Sequence, residues 1–142
     1  MLEYFSFNEL IKGEIMESSA HFSKNELACK CCGIAEMETV FMERLENLRI
    51  QFGKSMRLSS AYRCSSHNSE VSKTGAGGPH TRGQAVDVLI GGKDAHCLIN
   101  LAIPLGFTGI GIKQKGPYEK RFIHIDDLQE ASGRPRPWIW SY

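Results

Sequence analysis

The sequence predicts an α+β fold, a small single domain over residues 1–142 in which helices pack on a central antiparallel sheet. Two observations predict this class. The first half of the chain has one long amphipathic stretch with helical spacing, and the second half has several short apolar stretches close together in sequence. No internal repeat or long linker divides the 142 residues, which suffice to bury one core. Residues 1–28 are expected to form a lead-in segment that packs on the body of the domain.

The first helices are predicted from a cap and from apolar spacing. Ser23 and Glu26 have the pattern of a capping box, which predicts a short helical turn. Apolar side chains recur every three or four residues over 36–52, which predicts the longest helix. Gly53 follows this helix at the position of a left-handed C-cap.

Two further helices flank a glycine-rich loop. A short helix is expected to end at Val71, and the four glycines of 73–83 predict a tightly turning loop. An apolar helix is expected over about 94–101, with Asp94 as its N-cap and Pro104 near its end.

Four strands are predicted from short apolar runs that glycine, proline or polar residues bound. They cover residues 56–62, 85–90, 107–112 and 122–125. A polar turn around Gly116 joins the last two. Trp138 and Trp140 alternate as in a terminal strand, and we expect them to line the core or a groove.

The composition excludes several classes of protein. The chain is 42% hydrophobic and 23% charged, as globular proteins are, and its formal net charge of +1 argues against a strongly basic nucleic-acid binder. No apolar run approaches the roughly 20 residues that cross a bilayer, and the N-terminus lacks the pattern of a secretory signal. We expect a monomer that begins in the cytoplasm, binds neither nucleic acid nor membrane, and reaches the outside by lysis or another exit route.

His80, Asp87 and His124 are the candidate ligands of one zinc ion. Two imidazoles and one carboxylate leave a fourth tetrahedral position for water, which distinguishes a catalytic zinc from a closed structural one. Such a zinc lowers the pKa of its water to about 7 and polarises a carbonyl oxygen. Amide hydrolysis needs both effects, so these residues favour a zinc peptidase.

Strand periodicity supports this site. Asp87 is a lone carboxylate on an apolar strand, where burial is unfavourable unless the charge is paired or coordinated. Alternation places His124 and Asp126 on one face, roughly 7 Å apart along the strand, which makes Asp126 the candidate general base. The alternative for either segment alone is structural, with a hydrogen-bonded core histidine and an aspartate in an ion pair.

Four stretches of the chain occur in the order of a known family. They are Ser-Ser-Ala-Tyr-Arg at 59–63 with the trailing His67 and Asn68, His-Thr-Arg-Gly-Gln-Ala-Val-Asp at 80–87, Phe-Thr-Gly-Ile-Gly at 107–111, and Phe-Ile-His-Ile-Asp at 122–126. They resemble the M15 zinc peptidases, which include D-alanyl-D-alanine carboxypeptidases and peptidoglycan endolysins. The tail at 134–142 is similar to that of small phage-type members. The resemblance runs from about Phe22 to the C-terminus and implies an antiparallel sheet that carries the zinc.

The resemblance also implies contacts with substrate. Arg63 would bind a substrate carboxylate or the developing oxyanion, for which a planar charged fork is suited; a surface ion pair is its alternative. Arg82 is a weaker candidate for the same role. Tyr62 is the third candidate contact, although core packing is its favoured role, and His67 is expected to cap or brace the loop.

Two positions depart from the family pattern. Several members have a catalytic glutamate three residues before the last histidine, where this chain has Arg121. This leaves Asp126 as the candidate base and Glu119 as the alternative. A serine commonly lies two residues before the first ligand, and here that residue is Gly78.

The cysteines allow two interpretations. The chain has five, Cys29, Cys31, Cys32, Cys64 and Cys97. Without an export signal they are expected to be reduced. Three thiols within four residues are compatible with a second, structural zinc site that Cys64 or a histidine such as His67 completes. A Cys-x2-Cys knuckle is not expected, however, and ordinary buried thiols are the favoured interpretation.

Two functions of different classes follow. The first is a zinc-dependent peptidase that cuts peptidoglycan stem peptides, as an endolysin-like endopeptidase or a D,D-carboxypeptidase that acts on the cell wall after release in phage or prophage lysis. The second is a non-catalytic, zinc-stabilised binding module of a cell wall or phage particle, which Arg121 in place of the glutamate keeps open. A cysteine-zinc nucleic-acid binder is disfavoured by the near-neutral charge.

Overall fold

Four helices and two sheets form in residues 14–75 and 77–142, the part of the chain that the computed structural model describes. The helices are α1 (Lys24–Leu27), α2 (Thr39–Phe52), α3 (Ser65–Val71) and α4 (Gly92–Ala102). The strands are β1 (Ile15–Met16), β2 (Met37–Glu38), β3 (Arg57–Ser60), β4 (Ala85–Leu89), β5 (Gly109–Lys113), β6 (Phe122–Asp126) and β7 (Trp138–Ser141). Short 3-10 turns lie at Ile103–Leu105 and Tyr118–Lys120. The first half of the predicted lead-in segment, before residue 14, lies outside the described residues.

The five-stranded sheet has the order β3-β4-β6-β5-β7. Its first four strands pair antiparallel, which confirms the predicted α+β class and most of the predicted sheet. The edge strand β7 differs, because it pairs parallel to β5. The chain reverses direction once between β6 and β7, so β7 runs against β6 and therefore along β5. A separate antiparallel pair joins β1 to β2.

The longest helix begins three residues later than its apolar spacing predicts. Met37 and Glu38 pair with β1 as a short strand, although Met37 is buried as the pattern requires. The Glu38 side chain then caps α2 by accepting a hydrogen bond from the Phe41 amide at 2.8 Å. The helix ends at Gly53, whose φ of 74° confirms the predicted left-handed C-cap. The capping box that opens α1 is also confirmed.

The prediction that Asp94 caps the second apolar helix is wrong. Helix α4 begins at Gly92 with Gly91 as N-cap, so Asp94 lies in the first turn. Its carboxylate accepts a hydrogen bond from Lys54 Nζ at 2.9 Å, which directs it towards the end of α2 instead of the helix amides. The acidic group still complements the positive end of the helix.

The core lies between the helices and one face of the sheet. Phe41, Leu45 and Leu48 of α2 are buried with Leu98 of α4. The strands contribute their alternate residues, namely Val86, Val88, Ile110, Ile123 and Ile125. Because side chains alternate along a strand, the residues of β4 and β6 that lie between these core residues point to the opposite face of the sheet. Among the described residues, no helix is both long and apolar enough to span a membrane.

Candidate metal centre

Asp87 and His124 lie side by side on the sheet face that points away from the core. They are direct partners in the register of β4 with β6. His124 Nδ1 lies 3.0 Å from Asp87 Oδ1, and both side chains are buried. The pairing of two adjacent strands therefore brings these two predicted ligands together.

His80 reaches the same place from the turn before β4. Gly83 in that turn has a φ of +68°, and a Cβ there would overlap the backbone at residues 36–38. The Gly83 carbonyl accepts a hydrogen bond from the Glu38 amide at 2.9 Å, which holds the turn against β2. His80 Nε2 then lies 3.3 Å from Asp87 Oδ1. The glycine of the His-x-x-Gly stretch is thus required for the approach that places His80.

Each imidazole donates a hydrogen bond through the nitrogen that faces away from Asp87. His80 Nδ1 donates to the Ala61 carbonyl at 2.7 Å, and His124 Nε2 donates to Asp126 Oδ2 at 2.7 Å. A carbonyl and a carboxylate only accept, so these bonds fix the tautomers of the neutral rings. When the rings are neutral, the other nitrogen of each ring is an acceptor that faces Asp87 Oδ1. A metal ion or a ring proton can satisfy these converging atoms.

The donor set fits a zinc ion. Two ligand atoms at about 2.0–2.1 Å from a tetrahedral zinc lie about 3.3 Å apart. The two nitrogen-to-oxygen distances are 3.3 and 3.0 Å, and the ligand atoms of all three residues lie within 4.8 Å of one another. Imidazole nitrogen with carboxylate oxygen is a common zinc ligand set. The structure therefore brings His80, Asp87 and His124 together as a group that can hold a metal ion.

The pKa shift of Asp87 favours metal binding, whereas the pKa shift of His124 favours a ring proton that a bound metal ion would displace. Burial opposes ionisation of Asp87, but the imidazoles of His80 and His124 outweigh it and hold the pKa of Asp87 well below its usual range. Burial also opposes the positive charge of His124, yet its hydrogen bonds to Asp126 and Asp87 raise the pKa of the ring. A negative carboxylate is thus maintained between the two rings at neutral pH.

Asp126 lies fully buried behind His124. Its Oδ1 accepts hydrogen bonds from Arg136 Nε at 3.0 Å and from the Leu128 amide at 3.3 Å. Its Oδ2 accepts from Arg136 Nη2 at 2.9 Å in addition to His124. Burial opposes ionisation, but the bonds from His124 and Arg136 outweigh it and lower the pKa of Asp126. Arg136, which the sequence motifs did not point to, therefore belongs to the site; its signal was the Arg-Pro-Arg-Pro run of the tail.

Two glycines of β5 make room for this arrangement. Gly109 is the register partner of Asp126, and a Cβ at Gly109 would overlap the carboxylate. Gly111 is the register partner of His124, and a Cβ at Gly111 would overlap the Trp140 ring. Trp140 packs against the His124 ring with centroids 5.0 Å apart. Close approach of side chains thus explains the Gly-Ile-Gly spacing.

Arg63 lies beside the candidate ligands. Its Nη2 donates to Asp87 Oδ2 at 3.2 Å. Its Nε donates to Ser60 Oγ at 2.9 Å, and its Nη1 donates to Asn68 Oδ1 at 3.2 Å. Asn68 is itself buried and donates to the Gly75 carbonyl at 2.6 Å. The guanidinium is therefore oriented from three sides.

An open cleft of about 840 Å³ lies in front of this group. Basic residues line much of it, namely Arg63, Lys73, Lys113, Arg134 and Arg136. Among the described residues that line the cleft, Asp87 is the single one with a side-chain carboxylate. Trp140 and Tyr142 add aromatic surface, which fits the predicted groove position of Trp140, whereas Trp138 is exposed. The cleft is suited to a ligand that carries carboxylates.

Four residues with predicted roles lie away from the cleft. Arg82 lies in the turn before β4, and Glu119 is exposed in a 3-10 turn. Tyr62 is partly buried and packs against the core. His67 lies in α3. None of the four lines the cleft, so their roles in substrate binding or proton transfer stay predictions.

Comparison with known proteins gives one family. The sequence model of the family described as Peptidase M15 matches residues 20–126, from before α1 to the end of β6. The match includes the three candidate ligands and also Arg63 and Asp126. No curated protein matches the chain.

Proposed function

The chain belongs to the peptidase M15 family, and from this premise we propose that it is a zinc-dependent peptidase that hydrolyses peptide bonds in peptidoglycan stem peptides. One observation carries the proposal. His80 Nε2 and His124 Nδ1 both face Asp87 Oδ1, at 3.3 and 3.0 Å, beside an open cleft. Three protein ligands that face a cleft are the arrangement of a catalytic zinc, whereas structural zinc sites are closed by four.

The chain's own residues prepare the site for the metal. Bound zinc supplies a Lewis acid for the scissile carbonyl and lowers the pKa of a water to about 7. The Ala61 carbonyl and the Asp126 carboxylate hold the two imidazoles in the tautomers that present lone pairs to the ion. Asp87 supplies the negative charge. These contacts join protein atoms alone, so the fold itself orients the candidate ligands.

Arg63 is proposed to bind a substrate carboxylate or the oxyanion of the transition state. Its Nη2 contacts Asp87, and 13% of its side chain is exposed, on the side of the cleft. A planar fork with five donors can hold two oxygen atoms at once. Ser60, Asn68 and Asp87 engage three of the five donors, which fixes the direction of the fork and leaves two donors for substrate.

Two alternative roles can be distinguished for Asp126. As the predicted general base it would take a proton from water and pass it to the leaving amine. Its contacts favour a positioning role, because it is fully buried and both its oxygens already accept hydrogen bonds. In that role it orients the His124 ring and raises its basicity as a ligand. We propose the positioning role, and the general base stays a prediction that a variant can test.

The substrate class is proposed from the charge of the cleft. Peptidoglycan stem peptides carry free carboxylates, and five basic residues line the cleft. A terminal carboxylate held by Arg63 would direct cleavage to the last bond, as in a D,D-carboxypeptidase. Carboxylates held farther out, near Lys113 or Arg134, would allow cleavage within the peptide. Action on the cell wall after release in phage or prophage lysis belongs to the same proposal.

A binding module without hydrolysis is the second candidate. Asp87, itself a candidate ligand, is the single one with a side-chain carboxylate among the described residues that line the cleft, and the predicted base Asp126 is fully buried. A protein of this kind would hold zinc and bind stem peptides without cutting them. The test must therefore measure bond cleavage separately from binding.

Peptide release from purified peptidoglycan provides that test. The zinc-loaded protein is incubated with wall material of several types, with and without a zinc chelator, and soluble products are identified by mass spectrometry. We expect chelator-sensitive release, and the fragment masses name the bond. Binding to the wall with no fragments from zinc-loaded protein would support the binding module and overturn the peptidase.

A further inference from the structure

A second group of metal-ligand side chains lies outside the lining of the cleft, and one of its members, Cys64, follows Arg63 in the sequence. The sulfur atoms of Cys29, Cys32 and Cys64 all lie within 4.8 Å of one another. Cys29 follows α1, and Cys64 is the N-cap residue of α3, so the fold brings together thiols that are 35 positions apart. Cys29 is buried, whereas Cys32 is exposed. We call these three residues and Cys31 the cysteine cluster.

The spacing within the cluster fits zinc. Two sulfur atoms at about 2.3 Å from a tetrahedral zinc lie about 3.8 Å apart. Cys29 Sγ and Cys64 Sγ are 3.7 Å apart and are not bonded to each other. Cys29 and Cys32 also have the two-residue spacing of a zinc knuckle, so the expectation that no Cys-x2-Cys pair is present was wrong. The cysteine between them, Cys31, is exposed in the same loop, and it is the further thiol available as a fourth ligand.

The backbone around Cys29 holds its sulfur in place. The Gly33 amide donates to the Cys29 carbonyl at 2.8 Å, and the Cys29 amide donates to the Ile34 carbonyl at 2.7 Å, which closes a tight loop around Cys31 and Cys32. The Cys64 amide donates to Cys29 Sγ at 3.4 Å. A backbone donor that points at sulfur stabilises the thiolate form, which is the form that binds metal.

We infer that the cysteine cluster is a second, structural zinc site, with Cys29, Cys32 and Cys64 as ligands and Cys31 as the fourth. Four sulfurs close the tetrahedron and leave no position for water or substrate, so this site performs no hydrolysis. The inference depends on the positions of three sulfurs and on the presence of Cys31 in the same loop, and not on the proposed peptidase activity.

The second zinc would fix the segment that carries Arg63. The Tyr62 amide donates to the Leu27 carbonyl at 3.1 Å, and the Arg63 amide donates to the His80 carbonyl at 3.3 Å. A metal shared by Cys29 and Cys64 adds a link between the loop after α1 and the residue next to Arg63. The segment is then tied on one side to this loop and on the other to the turn that places His80.

Counting bound zinc tests the inference. Protein purified under reducing conditions is analysed by native mass spectrometry, and its zinc content is checked by elemental analysis. We expect two zinc ions in the wild-type chain, one in a Cys29→Ser/Cys64→Ser double variant, and one in an Asp87→Asn variant. Cys97→Ser is the matched control, because Cys97 is exposed and outside the cluster, and it should keep two.

Cobalt substitution gives a second readout that does not depend on whether a cysteine variant folds. Cobalt bound by thiolates shows sulfur-to-cobalt charge-transfer absorption, which a site of two imidazoles and a carboxylate lacks. The cobalt-loaded wild type and Asp87→Asn chains should both show this absorption. A wild-type chain with one zinc and no sulfur charge transfer would overturn the inference. A disulfide between Cys29 and Cys64, detected by alkylation of the denatured chain, would overturn it as well.

Discussion

The His80, Asp87 and His124 centre and the cysteine cluster differ in everything except the proximity of their ligand atoms. In each, three ligand atoms lie within 4.8 Å of one another. The first group is buried, is placed by strand register, and faces an open cleft. The cluster lies at the loop after α1 and the N-cap of α3, is partly exposed, and has a further cysteine, Cys31, in the same loop. Proximity therefore identifies a candidate metal-binding group, whereas ligand number and access to a cleft indicate whether a bound metal could do chemistry.

The two groups also differ in how their ligands are supported. Each imidazole of the first group has a hydrogen-bonded partner behind it, and Asp126 is in turn held by Arg136. Such partners set the orientation of ligands and the affinity for the metal. The cluster relies on one N–H to sulfur contact and on the tight loop after Cys29. Changes in the first group should therefore alter catalysis, and changes in the second should alter stability.

The largest effect is expected from Asp87→Asn. The substitution removes the one negative ligand, so zinc should leave this centre. Hydrolysis should fall at least about 10³-fold, because a Lewis acid contributes several kcal/mol to transition-state stabilisation. Initial rates on a stem peptide and zinc content measure both effects. Asp94→Asn is the control, since Asp94 pairs with Lys54 away from the cleft. Full activity in Asp87→Asn would contradict the claim that the first group, unlike the cysteine cluster, is catalytic.

Arg63→Met should have the next largest effect. Loss of one donor to a developing oxyanion reduces kcat by about 10²–10³-fold. If Arg63 binds only a carboxylate of the substrate, KM should rise with little change in kcat. Arg63→Lys keeps the charge without the fork and should recover part of the loss. Arg82→Met is the matched control, and an equal loss in that variant would show that charge near the site matters more than position.

Asp126→Asn separates the two roles of Asp126. If Asp126 positions His124, the variant should lose about 10–100-fold in zinc affinity or activity, and excess zinc should restore part of the activity. If Asp126 is the general base, kcat should fall by about 10²–10⁴-fold in protein that is saturated with zinc. Zinc titration followed by kinetics distinguishes the two. Arg136→Met should reproduce the first result in weaker form, because it removes the group that holds Asp126.

A smaller effect on hydrolysis is expected from the Cys29→Ser/Cys64→Ser variant. It should lower the melting temperature while keeping hydrolysis within about threefold of wild type, because the backbone hydrogen bonds of Tyr62 and Arg63 still hold the segment next to Cys64. Circular dichroism and initial rates on the same samples test this. A thousandfold loss of hydrolysis in a folded variant would mean that the cysteine cluster belongs to the catalytic site after all.

The smallest effect concerns the anchoring of the segment before α1. The Glu46 carboxylate of α2 accepts hydrogen bonds from Ser19 and from the His21 amide, and lies 2.6 Å from His21 Nδ1. Burial opposes its ionisation, but these bonds outweigh it and lower the pKa of Glu46. Its stabilisation is therefore present above its unfolded pKa and is lost as the pH falls through the lower folded pKa.

Glu46→Gln should accordingly reduce the free energy of unfolding by about 1 kcal/mol at neutral pH. The difference from wild type should shrink once the pH falls below about 4.5, the ordinary range of a glutamate. Urea unfolding at several pH values measures this. Glu43→Gln, at an exposed position of the same helix, is the control. A difference that grows towards acid pH would contradict the assigned contacts.

Strand alternation made much of the fold and of the metal centre predictable. The alternation of Asp87 with valines and of His124 with isoleucines placed both on one face, and the structure pairs them directly. Other features depend on contacts that no local pattern records. Met37 leaves the predicted helix because β1 pairs with it, and Asp94 turns to Lys54 instead of capping α4.

The surroundings of the site were less predictable because they come from segments that are distant in sequence. Arg136 contacts Asp126 because the loop that follows β6 turns back towards the sheet. The burial of Asp126 behind His124 depends on Gly109 in the neighbouring strand. A sequence shows that such residues are present, but only the packed strands show which atoms they contact.

The most direct test of a catalytic zinc at His80, Asp87 and His124 compares peptide release by the wild-type and Asp87→Asn chains from the same purified peptidoglycan, with bound zinc counted in each sample. We predict that the variant holds one zinc ion fewer than the wild type and releases no peptides, while the wild type releases fragments with defined masses. Equal release by the two chains, or no release by zinc-loaded wild type from any wall type, would contradict a catalytic role for this centre.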